Sequence, residues 1–439
     1  EETKMARTEE CILYRNFDNG EVLDIMTSLM NSYEAGEEGF ENRKEEFFHM
    51  AGSLVEMAGM YGFSGNLWHT YLTQLLVNHE NAFSTASEIR GAVEGSINHL
   101  ALHDFGIFKE LYDFDLAVFD SAFGTDCADF LCNYVNTGCN SKVYNQRICD
   151  RICDMSKTLA EASTVEEFMA DMVQFYKDFG VGKLGLNKAF RIEHGKNGKP
   201  VIAPITRIAH VNLDDLVGYE IPKQKLIENT EAFVRGRKAN NCLLFGDAGT
   251  GKSSSIKGIL NRYYDEGLRI IEVYKHQFQD LNDVIAQIKN RNYKFILYMD
   301  DLSFEEFEIE YKYLKAVIEG GLERKPENVL IYATSNRRHL IREKFSDKEE
   351  RRDDLHTSDT VQEKLSLAYR FGLKIYFGSP SKKEFQNIVR VLADKHGITM
   401  SEEELFLKAN QWELQYGGLS GRTAQQFIDH LLGQERKDV

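Results

Sequence analysis

The chain has 439 residues, of which 42% are hydrophobic and 11% aromatic, and its formal net charge is −16. This length exceeds one ordinary core and predicts two or three domains, while the hydrophobic fraction excludes a fibrous or disordered chain. No apolar run reaches the roughly 18 residues that a membrane helix needs, so we expect no membrane partner. Seven irregularly spaced cysteines fit a reducing compartment better than a disulfide framework, which predicts a cytoplasmic protein.

The negative charge lies in the front half of the chain. Residues 1–190 contain 31 Asp and Glu against 14 Lys and Arg, a net charge of −17, so residues 191–439 carry +1. An acidic surface repels phosphate backbones, which disfavours nonspecific nucleic-acid binding there and leaves a nucleic-acid partner unsupported. A protein partner, not identified by the sequence, is the better expectation for this half.

The front half is predicted to be helical. All five prolines fall at or after residue 200, whereas average usage would place about ten in the preceding 199 residues. Apolar residues recur at helical spacing in four segments, with breaks at glycine-containing stretches. These segments are 22–30, 47–60, 67–77 and 168–179. We therefore predict an N-terminal, mainly α-helical domain over residues 1–188.

The pattern changes after this domain. Short β-like runs flank a turn-rich stretch at 195–199, which predicts a hairpin or linker over residues 189–210. From residue 241, apolar runs alternate with amphipathic segments, as in a parallel sheet flanked by helices. The runs are 242–245, 270–273, 295–299, 329–333 and 373–377. They predict an α/β fold, a three-layer αβα domain with a five-stranded parallel sheet over residues 211–379.

The last segment is predicted to be a helical lid. After Pro380 the strand-like runs stop, and the patterns Ser381-x-x-Glu384 and Ser401-x-x-Glu404 are capping boxes that introduce helices. Helical spacing continues to about residue 432. The lid is assigned to residues 380–439.

A phosphate-binding loop follows the first strand of the α/β domain. Its sequence fits G-x-x-x-x-G-K-[ST], with an apolar run before it and a helix-compatible segment after it. In this setting the backbone N–H groups face the phosphates, Lys252 reaches the β and γ phosphates, and Ser253 ligates Mg²⁺. The alternative is an ordinary glycine-rich turn. The nucleotide-binding residues of this loop are Gly246, Asp247, Ala248, Gly249, Thr250, Gly251, Lys252, Ser253 and Ser254.

Two carboxylates end the third predicted strand. The run 295–299 leads directly into Asp300 and Asp301, and we expect this strand to lie beside the P-loop strand and deliver both to the metal. Asp300 is then a Mg²⁺ ligand acting through water. Asp301 would orient or deprotonate the attacking water, as a carboxylate within hydrogen-bond reach can. The alternative is that the two residues merely cap the next helix.

The order of these motifs resembles the AAA+ ATPase superfamily of P-loop NTPases over about residues 210–435. Within it, the whole chain most resembles an uncharacterised bacterial group of predicted ATPases, the domain of unknown function family 815, including the stretch 65–84. That group implies no substrate. The segment 211–220 resembles the one that precedes the superfamily's first helix, so Val217, Gly218 and Tyr219 are implied to line an adenine pocket.

Three further roles are implied by this resemblance. Asn336, ending the fourth strand, matches sensor 1 and would position the lytic water. Arg422, at the start of the last lid helix, matches sensor 2 and would touch the γ-phosphate. Arg370 lies where the superfamily places its arginine finger, with Arg351 and Arg352 as competing candidates. Each has a structural alternative, as a strand end, a helix start or a solvated charge.

One residue departs from the superfamily pattern. Asp301 stands where a Glu usually follows the metal-binding Asp, and its side chain is one methylene shorter. Glu305 and Glu306 could contribute in its place, so the departure bears on turnover and not on nucleotide binding. The cysteines between residues 127 and 153 contain no C-x-x-C pair and are predicted to be core thiols, not metal ligands.

These observations predict a homo-oligomeric enzyme that binds ATP and Mg²⁺, releases ADP and phosphate, and remodels a protein or protein–DNA assembly. The alternative is an ATP-gated interaction switch with little hydrolysis. A P-loop kinase is a weaker third reading, because Arg422 and the lid resemble AAA+ features and not an acceptor site. No aromatic residue flanked by glycine lies between the P-loop and Asp300, so polypeptide threading is not supported.

Overall fold

The computed structural model describes residues 8–92, 94–136, 141, 143–195, 197–209, 211–303, 310–319, 326–336 and 367–435. The chain divides into two compact units, Glu1–Asn187 and Lys188–Val439. Among the described helices, none combines the length and the apolar character that crossing a membrane requires.

The first unit is built from helices around one aromatic-rich core. The four helices predicted from periodicity are all present, as α1, α2, α3 and α9 below. The fully buried side chains include Trp68, Tyr176 and Phe168. The helices are α1 (Glu21–Glu34), α2 (Lys44–Tyr61), α3 (Leu67–Asn78), α4 (Ala82–Arg90), α5 (Ser96–Asp113), α6 (Ala117–Phe123), α7 (Cys127–Cys132), α8 (Gln146–Glu161), α9 (Val165–Phe179) and α10 (Gly182–Leu186).

The second unit contains the α/β fold. Strands and helices alternate along most of it, and the five predicted strands correspond to β3 to β7. The elements before the lid are β1 (Ala189–His194), β2 (Pro200–Ile205), α11 (Glu220–Val234), β3 (Cys242–Gly246), α12 (Lys252–Tyr263), β4 (Leu268–Glu272), α13 (Leu281–Ile288), β5 (Lys294–Met299), α14 (Glu310–Glu319), β6 (Val329–Ser335) and β7 (Leu373–Phe377).

The sheet has seven strands in the order β2-β1-β4-β5-β6-β3-β7, and not the five that the sequence predicts. The segment predicted as a hairpin or linker forms β1 and β2, and β1 pairs in parallel with β4 through Ala189 and Ile270. Phe190 and Ile192 of β1 are buried, so the hairpin covers an edge that would otherwise leave backbone groups unpaired. Periodicity detects such strands but does not reveal a partner some 80 residues away.

The strand carrying the two carboxylates is not adjacent to the P-loop strand, contrary to the sequence expectation. Strand β6 lies between β3 and β5, pairing in parallel with both. The order of strands along the chain does not dictate their order in a parallel sheet, because crossover helices allow insertions. Residues at the end of β6 therefore lie between the P-loop and the carboxylates.

Three helices form the lid, α15 (Lys382–Lys395), α16 (Glu402–Tyr416) and α17 (Gly421–Glu435). The predicted capping box at α15 is complete, because Ser381 accepts from the Glu384 N–H and Glu384 accepts from the Ser381 N–H. Ser401 caps α16 through the Glu404 N–H. The lid packs around its own apolar core, which includes Phe385 and Phe427.

Candidate functional site

The P-loop links the end of β3 to the start of α12 in a shape that depends on glycine. Gly246, Gly249 and Gly251 all have positive φ, at 137°, 75° and 87°. At Gly246 a Cβ would also lie 2.1 Å from the carbonyl oxygen of Phe377 on the neighbouring β7. Side-chain-bearing residues are therefore excluded where the loop turns most tightly.

Lys252 extends its side chain back along this loop. Its Nζ donates to the carbonyl oxygens of Gly246 at 3.1 Å and Asp247 at 2.5 Å. The residue is 6% exposed, and burial lowers the pKa of Lys252 even though Asp247, Asp301 and Asp300 act in the opposite direction. Among the described residues, no carboxylate is hydrogen-bonded to this ammonium group, which leaves it available to an anionic ligand.

Three hydroxyl groups converge on Asp300, just past β5. Its Oδ1 accepts from Ser253 Oγ at 2.7 Å, Tyr298 Oη at 2.7 Å and Thr334 Oγ1 at 2.6 Å. Burial acts to raise the pKa of Asp300, but the hydrogen bonds from Thr334, Ser253 and Tyr298 outweigh it and lower the pKa. The carboxylate is thus kept ionised next to the Ser253 hydroxyl, a pair of oxygen ligands suited to Mg²⁺.

Asp301 is oriented by residues at the end of β6. Its backbone has a φ of 49°, and its N–H donates to Thr334 Oγ1 at 2.9 Å. The side chain of Asn336 donates from Nδ2 to Asp301 Oδ1 at 2.9 Å, an orientation of the amide that follows from the hydrogen-bond pattern. The inserted strand therefore brings Asn336 and Asp301 together.

The lid closes over the P-loop at the start of α17. The Arg422 N–H donates to the Gly249 carbonyl oxygen at 3.1 Å, and a Cβ at Gly249 would lie 3.0 Å from Cβ of Arg422. On the other side of the cleft, Val217 and Tyr219 pack against the lid core. The segment that holds Val217 and Tyr219 and the lid helix that begins at Gly421 thus border one cleft, although about 200 residues separate them along the chain.

The resulting cleft has a volume of about 590 Å³. It collects most of the predicted site residues. Its lining contains Val217, Tyr219, Ala248, Gly249, Thr250, Gly251, Lys252, Ser253, Ser254, Asp300, Asp301, Asn336 and Arg422. Gly218, Gly246 and Asp247 are not part of the lining. Gly218 has a φ of 84°, as the turn before α11 requires.

Arg370 is also not among the residues that line this cleft. Its guanidinium forms an ion pair with Glu319, the last residue of α14. The competing candidates Arg351 and Arg352 lie outside the described residues, as do Glu305 and Glu306.

Sequence reasoning missed Tyr298 and Thr334, two residues that bind Asp300. Both are hydroxyl donors to Asp300. Tyr298 stands two residues before Asp300, so the alternation of a strand places both on one face. That signal was present in the sequence. Thr334 gave no comparable signal, because its role depends on the insertion of β6 beside β5.

The cysteines predicted as core thiols are half-buried or buried where they are described. Cys149 donates from Sγ to the Tyr61 carbonyl oxygen, and burial raises the pKa of Cys149 to about 11. Within the described ranges, no group of three or more His, Cys, Asp or Glu is arranged to hold a metal ion. Cys139 lies outside those ranges.

The glycine-dependent loop, the inserted strand and the helical lid together define an α/β domain with a P-loop and a helical lid. The chain belongs to the family described as "Protein of unknown function (DUF815)", whose model matches residues 186–435. No curated protein matches the chain.

Among solved structures, the chain resembles a point mutant of RuvB from Thermotoga maritima, with 16% identity and a TM-score of 0.36. That similarity covers 51% of this chain and 65% of the RuvB chain, so it spans slightly less than two thirds of that protein. The AAA domain of FIGL-1 in complex with ADP is similar at 16% identity and a TM-score of 0.36, covering 52% of this chain and 75% of that one.

Proposed function

We propose that this chain is an ATP hydrolase that binds MgATP in the cleft between the sheet and the lid. The observation that carries the proposal is the approach of Ser253 Oγ to Asp300 Oδ1 at 2.7 Å beside a glycine-dependent P-loop. Two oxygen ligands next to a loop of backbone N–H groups and a lysine form the arrangement that binds a nucleoside triphosphate with its metal ion.

Each part of the cleft has a role in this proposal. The backbone of residues 248–253 and Lys252 bind the phosphates, while Ser253 and Asp300 hold Mg²⁺, directly and through water. A Mg²⁺ ion held by these residues would supply neutralisation of the charge that develops on the transferred phosphoryl group. Asp301 orients or deprotonates the attacking water, and Asn336 fixes the position of that carboxylate.

The remaining residues act around this centre. Val217, Gly218 and Tyr219 contact the adenine, and Arg422 contacts the γ-phosphate from the lid. We also propose that the enzyme is a homo-oligomer in which Arg370 of one subunit completes the site of the next, as an arginine finger stabilises charge in the transition state. Arg370 has to leave Glu319 to do so.

The biological role proposed here is the remodelling of a protein or protein–DNA assembly in the cytoplasm. We propose that residues 1–188 select the protein partner, since this domain carries the acidic excess. Lid movement would transmit the energy of hydrolysis, because the lid contributes Arg422 to the cleft.

A second candidate function is an ATP-gated interaction switch with little hydrolysis. The hydrogen bond from Asn336 to Asp301 favours it, because a short carboxylate bonded to a side chain is less available to water. In that case ATP binding alone would set the lid position and recruit a partner.

Steady-state ATP hydrolysis across a series of protein concentrations, with a direct MgATP-binding titration, tests the proposal. Turnover per subunit that rises with concentration and is lost in Lys252→Ala and Asp301→Asn is the expected result. Tight MgATP binding without turnover at any concentration would support the switch. Absence of MgATP binding by the folded chain would overturn both functions.

A further inference from the structure

The second residue of the P-loop contacts the connection between the sheet and the lid. One carboxylate oxygen of Asp247, Oδ2, accepts from the Ser379 N–H at 2.8 Å and from the Ser379 hydroxyl at 2.8 Å. These two hydrogen bonds lower the pKa of Asp247. The carboxylate therefore stays ionised near neutral pH and holds Ser379 by two donors.

Ser379 lies in the short connection between the last strand of the sheet and the first helix of the lid. Residues 378–381 are the whole connection between β7 and α15, and this is the one covalent passage from the sheet to the lid. Pro380 follows with its φ fixed by the ring, and Ser381 is the N-cap of α15. Because the connection is short and constrained after Ser379, the placement of Ser379 sets the direction in which the lid begins.

Asp247 also forms hydrogen bonds through its backbone, to β7 and within the P-loop. The Asp247 N–H donates to the Phe377 carbonyl oxygen at 3.0 Å. The carbonyl oxygen of Asp247 accepts from Lys252 Nζ at 2.5 Å and from Thr250 Oγ1 at 2.8 Å. Asp247 thus connects the lysine that would bind phosphate to the residue where the lid connection begins.

The lid returns to the loop two residues later. The Arg422 N–H donates to the Gly249 carbonyl oxygen at 3.1 Å. The P-loop is therefore held by the beginning of the lid connection at residue 247 and by the start of the last lid helix at residue 249. A shift of the loop changes both contacts together.

We infer that Asp247 is a positioning residue that couples nucleotide occupancy of the P-loop to the orientation of the lid. The inference rests on the proposed function. When phosphates draw Lys252 Nζ away from the Asp247 carbonyl oxygen, the loop loses that hydrogen bond and settles around the ligand. The carboxylate of Asp247 carries this adjustment to Ser379, and the lid follows.

Hydrogen exchange followed by mass spectrometry tests the coupling on the full chain, without ligand and with saturating MgADP. Peptides covering residues 378–381 and 421–424 report the two lid contacts. In Asp247→Ala without nucleotide, we expect exchange at 378–381 to be about tenfold faster, as for an amide that loses a hydrogen bond to a charged acceptor. We also expect the effect of MgADP on both peptides to be lost.

Two further variants separate coupling from simple loosening of the connection. Asp247→Asn keeps an acceptor oxygen and should restore most of the protection and of the MgADP response. Glu384→Ala breaks the capping box of α15 without touching Asp247, so it should speed exchange near Ser381 and keep the MgADP response. A response lost equally in Glu384→Ala would show that any weakening of the connection suffices, and would overturn the assignment.

Failure of the inference is distinguishable from failure of the proposed function. If Asp247→Ala exchanges like the unaltered chain in both states, Asp247 does not position the lid, whatever the activity. If the unaltered chain binds no MgADP, the proposed function and the coupling are both overturned, and the nucleotide-free comparison still shows whether Asp247 holds Ser379.

Discussion

The side chain of Asn336 donates a hydrogen bond to Asp301 across 2.9 Å, although 35 residues separate them along the chain. Thr334, two residues earlier on β6, accepts from the Asp301 N–H. Together these bonds hold Asp301 in a left-handed backbone conformation with a φ of 49°, which costs energy for a residue other than glycine. The end of β6 therefore decides where this carboxylate points.

We predict that Asp301→Asn lowers the rate of ATP hydrolysis at least about 100-fold, because general-base contributions are of that order, while MgATP binding is retained. Asp301→Glu keeps the carboxylate on a side chain one methylene longer and should hydrolyse ATP no more slowly than the unaltered chain. Single-turnover kinetics and a binding titration measure the two effects. Unchanged turnover in Asp301→Asn would remove Asp301 from the mechanism.

Tyr298→Phe removes one hydroxyl donor from Asp300 and should raise the pKa of this carboxyl group. The pKa of Asp300 is lowered in the folded protein, so its stabilising contribution is present above the unfolded value and is lost as pH falls through the folded value. As pH is lowered, the variant should therefore lose Mg²⁺-dependent nucleotide binding at a higher pH than the unaltered chain does. Its free energy of unfolding at neutral pH should be about 1 kcal/mol lower.

Tyr332→Phe is the matched control for that change. Tyr332 is paired in register with Tyr298 on the neighbouring strand, but its hydroxyl group bonds to Asn229 and Thr230. The control should lose similar stability and leave the pH dependence of binding unaltered. Identical pH profiles for both variants would argue against a role for Tyr298 at Asp300.

Arg370→Ala should reduce turnover in the assembled oligomer by about 1,000-fold or more, the range measured for arginine fingers, and leave MgATP binding in place. Glu319→Gln provides the control, because it weakens the ion pair and keeps the guanidinium group. Hydrolysis is measured with the oligomeric state verified by light scattering. Full turnover in an Arg370→Ala oligomer would direct attention to Arg351 and Arg352.

In the first unit, Asp104→Ala should lower the free energy of unfolding by about 3 kcal/mol or more. Asp104 is fully buried and accepts from the N–H groups of Ile12, Leu13 and Tyr14, which the variant leaves without this acceptor. Urea unfolding followed by circular dichroism measures the loss. The control is Asp24→Ala, which removes an exposed carboxylate on α1. It should change the free energy of unfolding by less than about 0.5 kcal/mol. Similar losses in both variants would contradict a special role for Asp104.

Local patterns in the chain were sufficient to predict several of the helices and strands and to locate the glycine-rich loop. The period of apolar residues predicted four of the ten described α-helices of the first unit and strands β3 to β7, because burial of one face leaves a regular pattern. The P-loop was recognisable because its glycines, Lys252 and Ser253 are consecutive or nearly so. The capping box formed by Ser381 and Glu384 could be predicted for the same reason, because a capping box spans only four residues.

The meeting of distant residues, by contrast, depends on the tertiary fold. The fold added β1 and β2 to the sheet, inserted β6 between β3 and β5, and so brought Thr334 to Asp300 and Asn336 to Asp301. It also joined Asp247 to Ser379, 132 residues further along the chain. The period of apolar residues indicates which face of an element is buried. Strand order and register depend on the free energy of pairing between distant segments, which a local sequence pattern does not predict.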